Sequence, residues 1–206
     1  MTFKLYVEGG GDASLDAECR EGFRKLLERA GFAGRMPRLV ACGDRGRAFD
    51  RFRTACECGE TCYLLVDSED LIAHGNQGSP WKHLKNLKGD GWEKPPNASD
   101  DQCHLMVVCM ESWFLADKSA LSSFFDAGFA ESRLPKRAKI EEIPKNEVYD
   151  ALGKATAACK RKGTYAKGAH SFKILAMLDP DKVRKASPWA ERFFTKLDEV
   201  MIASGR

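Results

Sequence analysis

Three acidic clusters in this sequence have the residue types and spacing for hard-metal chemistry. The first lies in Lys4-Leu5-Tyr6-Val7-Glu8-Gly9-Gly10-Gly11-Asp12, an apolar run that stops at a carboxylate and passes through three glycines to a second carboxylate. The second is Asp67-Ser68-Glu69-Asp70, at the end of the apolar run 62–66, and the third is Glu111, at the end of the run 104–110. Carboxylate oxygens are hard donors that suit Mg²⁺. A phosphate cannot face Glu8 and Asp12 directly, so a cation must lie between them. The loop also lacks the lysine of a P-loop, and Ser14 stands where a dinucleotide loop needs a third small residue. It therefore points to a divalent ion ahead of a nucleotide, the plain alternative being a glycine-rich turn without chemistry.

Cations that could serve such a site occur in two tracts. Lys160 to His170 is basic, contains glycine and carries one aromatic residue, Tyr165. Lys162, Lys167 and His170 are candidates to pair with a phosphate or to protonate a leaving group. A solvated helix end is the plain reading of the same run. Earlier, Lys82, Lys85 and Lys88 interleave with Trp81 and Trp92, a pattern that either holds a phosphate backbone and stacks a base or simply staples a loop to the body. Cys56, Cys58 and Cys62 form a C-x-C-x₃-C group, but no second knuckle exists to complete a zinc site. A helix end, a turn and a strand start account for their spacing.

The elements that must position these residues follow from periodicity. Residues 4–7, 38–42, 62–67 and 104–111 read as short strands, the third and fourth apolar throughout as in a buried parallel sheet. Between them, Leu15, Cys19, Phe23, Leu26, Leu27 and Ala30 repeat at helical spacing, with Asp12 or Ser14 available as N-cap, and Ala48, Phe49, Phe52 and Ala55 mark a second helix. The pattern is β-α-β-α-β, which predicts an α/β, Rossmann-like, mostly parallel sheet flanked by helices. Glu8, Asp67 and Glu111 then stand at C-terminal strand ends, where open α/β sheets bind ligands. Residues 71–101 read as a long loop. Beyond Lys118 the pattern is helical, so the expected organisation is a core over 1–117 and a helical extension over 118–206 packed on it.

Composition sets broad bounds. A chain of 206 residues, 43% hydrophobic and 31% charged, has the make-up of an ordinary globular protein. No apolar run approaches the roughly 20 residues that span a bilayer, and the N-terminus enters a strand without a signal-peptide pattern, so the expected location is cytoplasmic. The net charge of +3 neither demands nor excludes a nucleic-acid partner.

Val7-Glu8-Gly9-Gly10-Gly11-Asp12 and Asp67-Ser68-Glu69 together resemble the Toprim domain, the metal-dependent module of topoisomerases, primases, overcoming-lysogenization-defect nucleases and small ribonucleases. That pattern joins a strand ending in Glu, a glycine-containing turn and a later strand ending in D-x-D. Here Glu69 replaces the second aspartate, with Asp70 able to serve instead. The whole chain, including Met110 to Asp117 and Lys162 to His170, is similar to a family of small bacterial Toprim-like proteins of unknown function that often accompany ATPases in phage-defence loci. The resemblance implies that Glu8 is a general acid/base or metal ligand and that Asp67 and Glu69 hold Mg²⁺ or Mn²⁺. It makes a Mg²⁺-dependent nuclease the leading expectation, with one or two ions held by Glu8, Asp12, Asp67 and Glu69, to which the strand-end position of Glu111 adds a further candidate ligand. Its rivals are a silent binding subunit of an ATPase or nucleic-acid complex and a small-molecule phosphatase.

Overall fold

The computed structural model describes residues 3–203 of the chain. The apolar runs form β1 (Lys4–Val7), β2 (Arg38–Ala41), β3 (Cys62–Asp67) and β4 (Cys103–Met106), all parallel, in the spatial order β2-β1-β3-β4. Every residue of β3 is buried, because β3 lies inside the sheet and is covered on both faces. Val7 is in register with Ala41 on one side and Leu65 on the other, and Asp67 with Met106. The connection from β1 runs to β2 and that from β3 runs the opposite way to β4, so a crevice opens between the carboxyl ends of β1 and β3.

Helix α1 (Ala13–Leu27) begins where Asp12 Oδ1 accepts the N–H groups of Ser14 and Leu15, both at 2.9 Å. Helix α2 (Arg45–Glu57) is capped in the same way by Asp44, whose side chain accepts from Arg47 N–H. The long loop contains a helix that periodicity missed, α3 (Pro80–Asn86), started by proline at its first position. Its Trp81 packs on Phe49 and Phe52 of α2, and Trp92 stacks on Phe49 at 4.5 Å. Lys82 donates to Gly75 O and Lys85 pairs with Glu93. These tryptophans are staples of the loop, and the base-stacking expectation for them is withdrawn.

The fourth strand is shorter than its apolar run suggests. It ends at Met106, and α4 (Met110–Phe114) starts early because Asp67 Oδ1 accepts Met110 N–H at 2.8 Å. Glu111 therefore sits in the first turn of a helix and not at a strand end.

The remaining chain adds α5 (Lys118–Phe125), α6 (Lys145–Thr156), α7 (Ser171–Leu175), α8 (Pro180–Ala186) and α9 (Pro188–Ala203). Helix α9 packs on β4 and α7 packs on α1. Leu5 and Leu64 of the sheet share one hydrophobic cluster with Phe114, Leu152 and Phe193. Burying each such side chain contributes about 1.5–3 kcal/mol, so the helices after residue 117 are bound to the sheet by its core. No helix among the described residues is long and apolar enough to cross a membrane. The eight cysteines are free thiols; Cys56 and Cys62 are buried at helix end and strand start, with Cys58 exposed in the turn between them.

Candidate metal centre

Parallel pairing of β1 with β3 brings Glu8 beside Asp67, and Asp67 N–H donates to Glu8 Oε2 at 2.9 Å. Glu69 follows the strand end in a left-handed conformation, φ 65°, and its N–H donates to Val108 O. This turn, and not alternation along the strand, aims its carboxylate at the other two. One oxygen from each of Glu8, Asp67 and Glu69 lies within 4.8 Å of the others, the one group of metal-ligand type among the described residues.

The glycines between Glu8 and Asp12 make room for close approaches. A Cβ on Gly9 would stand 2.8 Å from the Phe172 ring, and one on Gly10 would stand 2.0 Å from Asp16 Oδ1. The loop is tied back by paired bonds between Gly9 and Gly43, each 2.8 Å, and by Gly11 N–H donating to Asp16 Oδ1. In front of it opens a cavity of about 490 Å³, lined by Glu8, Asp67, Glu111, Lys167 and Arg47 together with Leu15, Met110 and Phe172.

Burial pushes the Asp67 carboxyl well above its ordinary range, and the charges of Glu8 and Glu111 push it further. Glu8 is also raised by burial, against the pull of Asp67 N–H and Arg45. Three cations answer these charges: Lys145, Arg45 and, from the cavity wall, Lys167. Lys145 Nζ is 2.6 Å from Glu69 Oε2 and 3.9 Å from Asp67 Oδ2; burial opposes its charge, but the bond to Glu69 and the charge of Asp67 outweigh burial and raise its pKa. Arg45 Nη2 donates to Asp67 O at 3.0 Å, Nη1 pairs with Asp90 at 2.5 Å, and the guanidinium lies over Trp92. Its Nε, 3.9 Å from Glu8 Oε2, is buried without a hydrogen-bond partner.

Glu111 stands beside this group in a different role. It is fully buried, its Oε2 accepts from Tyr149 OH at 2.9 Å, and its Oε1 accepts from Tyr165 OH at 2.8 Å and Ser171 Oγ at 3.3 Å. Three hydroxyls from α6, the segment before α7 and α7 itself thus converge on one carboxylate, which anchors the helical half to the sheet.

The remaining expected site residues lie elsewhere. Asp12 is exposed and committed to capping α1; Asp70 is exposed and accepts Leu71 N–H at 2.7 Å. Lys162 Nζ rests over the Phe124 ring at 4.7 Å. His170 packs against Phe124, Phe125 and Tyr165, its Nδ1 accepts Ala166 N–H, and burial with the nearby charges of Lys173 and Lys162 lowers its pKa. Neither lines the cavity; of that tract, Lys167 and Gly168 do. Lys145 and Arg45 were the functional residues that sequence patterns passed over. Each is the first residue of its helix, where the helix dipole disfavours a cation. A base at that position was the available signal that a carboxylate waits nearby.

The family model described as "Domain of unknown function (DUF4276)" matches residues 7–198. The chain belongs to that family. The matched span contains all the residues that build the site, including Lys145, Tyr149, Tyr165 and Ser171 of the helical half. No curated protein and no solved structure matches the chain.

Proposed function

We propose that this member of the DUF4276 family is a metal-dependent phosphodiesterase of Toprim type that cleaves a nucleic acid, with Mg²⁺ or Mn²⁺ held by Glu8, Asp67 and Glu69. The single observation that carries the reading is the convergence of those three carboxylates beside the β1/β3 crevice, where Glu8 and Asp67 line a cavity. The donor set fits the ion: three hard oxygens leave room for water and a phosphate oxygen in an octahedral shell. The Lys145 ammonium already stands among them as a cation of the protein's own.

When bound, the ion would polarise the phosphate and generate a nucleophile from water. The chain's own residues do the rest. Lys167 and Arg47, on the cavity wall, attract the phosphate and orient it. Leu15, Met110 and Phe172 form an apolar wall for a sugar or base.

Incubation of single- and double-stranded DNA, total RNA and tRNA with Mg²⁺ or Mn²⁺ tests the proposal against Asp67→Ala. Metal-dependent cutting lost in the variant is the expected result. A second reading, a catalytically silent subunit of an ATPase or nucleic-acid complex with a role in phage defence, draws on one observation: Lys145 and Arg45 already neutralise part of the cluster. Silence of the native chain on every polymer, with binding to a nucleic acid or an ATPase that survives Asp67→Ala, selects that reading.

A further inference from the structure

We propose that the carboxylate cluster takes one divalent ion and that the Lys145 ammonium serves as the second cation of the site. The inference rests on the metal reading above and adds to it a stoichiometry and a role for a residue of the helical half.

Oxygen bookkeeping limits the number of ions. Glu8 Oε2 accepts Asp67 N–H, Asp67 Oδ1 accepts Met110 N–H, and Glu69 Oε2 accepts from Lys145. Both oxygens of Glu111 are taken by hydroxyls. Glu8 Oε1, Asp67 Oδ2 and Glu69 Oε1 are left without hydrogen bonds, one oxygen from each carboxylate. Three protein oxygens completed by water make one octahedral site. A second ion, which two-metal sites place about 3.5–4 Å from the first, would have to share these oxygens or take the Glu69 Oε2 that Lys145 holds.

Charge leads to the same count. Glu8, Asp67, Glu69, Glu111 and Asp90 carry five negative charges against the three positive charges of Lys145, Arg45 and Lys167, and one divalent ion balances the remainder. Lys145 is built to stay: its side chain is only 26% exposed, it leaves the first turn of α6, and it reaches both Glu69 and Asp67. The left-handed turn at Glu69 is what brings that carboxylate within reach of α6. A lysine at a helix N-terminus is unfavourable by itself, so the carboxylates hold it there.

The test counts Mn²⁺ ions by isothermal titration calorimetry and by the resonance signal of free Mn²⁺, on the full chain and on Lys145→Met and Lys145→Arg. One ion per native chain and one per Lys145→Arg are expected. Lys145→Met is expected to accept a second ion or to bind the first about tenfold tighter or more, since an unscreened positive charge has been removed from within a few ångströms. Two ions on the native chain overturn the proposal whatever the variants do, which keeps it decidable if Lys145→Met does not fold. One ion on Lys145→Met at native affinity also overturns it, and both results leave the metal-dependent reading of the site intact. Absence of any Mn²⁺ binding by the native chain defeats that reading as well.

Discussion

Tyr149→Phe removes one oxygen and is expected to loosen the joint between the sheet and its helical half. The lost group donates to Glu111 Oε2 at 2.9 Å, and Glu111 is fully buried with Tyr165 and Ser171 as its other hydroxyl donors. A hydrogen bond to a charged group contributes about 1.5–3 kcal/mol, and here the carboxylate left behind cannot turn to water. Taking about 2 kcal/mol, a chain of this size should melt about 4–8 °C lower. Urea unfolding of the native chain and the variant measures the free energy directly. In Glu111→Gln, which has no charge to stabilise, the same tyrosine substitution should cost about 1 kcal/mol less, so the two changes are coupled in a double-mutant cycle. A loss below about 0.5 kcal/mol for Tyr149→Phe, or strict additivity with Glu111→Gln, would refute the anchoring role derived from these distances.

Two further outcomes follow from the packing and charge of the site. Helix propensity alone favours Gly22→Ala in α1 by about 1 kcal/mol, but a Cβ there would meet the Phe172 carbonyl oxygen at 2.7 Å, so a net destabilisation of about 1–3 kcal/mol is expected and a stabilised variant would contradict the close docking of α7. For Asp67, whose folded carboxyl is held well above its ordinary pKa by burial and by Glu8 and Glu111, the folded chain binds the proton more tightly than the unfolded chain. Stability of the metal-free protein should therefore decline as pH rises from about 4 toward the raised value, and Asp67→Asn should flatten that decline. Apparent Mn²⁺ affinity should rise over the same range, because the ion must displace the proton; melting curves in chelator and in Mn²⁺ check both, and identical pH profiles for native and variant would sink the argument.

Strand ends were legible because they are written locally: an apolar run, a carboxylate, then glycine or a polar turn. The same local signals put Glu8 and Asp67 at neighbouring strand ends and predict the parallel α/β sheet. Of the two roles expected of Asp12 it fills the N-cap and not the ligand, since a carboxylate before a helix serves the free N–H groups of the first turn before it serves a ligand. Glu111 was placed on a strand because Val107, Val108 and Cys109 continue the apolar run of β4. What ends that strand is remote, the bond from Met110 N–H to Asp67 Oδ1, 43 residues away in sequence. Lys145 lies 76 residues from Glu69, and no window of periodicity spans that distance. Of the basic tract at 160–170, Lys162 and His170 settle on aromatic rings and Lys167 alone faces the carboxylates, joined there by single bases at two helix starts.

Those two bases change the account of what the helical half does. A parallel sheet with acidic strand ends buries carboxylates and then gathers their charge, both of which oppose its folding, as the raised pKa values of Glu8 and Asp67 express. Arg45 enters with the crossover between β2 and β3, so the core segment itself supplies one compensating charge. Lys145 arrives only when α6 docks, and that docking is guided by Tyr149 of the same helix, one turn further on, bonding to Glu111. The anchor and the counter-charge thus ride on one rigid element, set four positions apart so that both face the sheet. Formation of the carboxylate cluster and attachment of the helices after residue 117 are then one cooperative event. A chain ending before α6 would lack the cation on Glu69 and all three hydroxyl donors to Glu111, leaving the cluster's charge to be met by Arg45, by protons or by a metal ion.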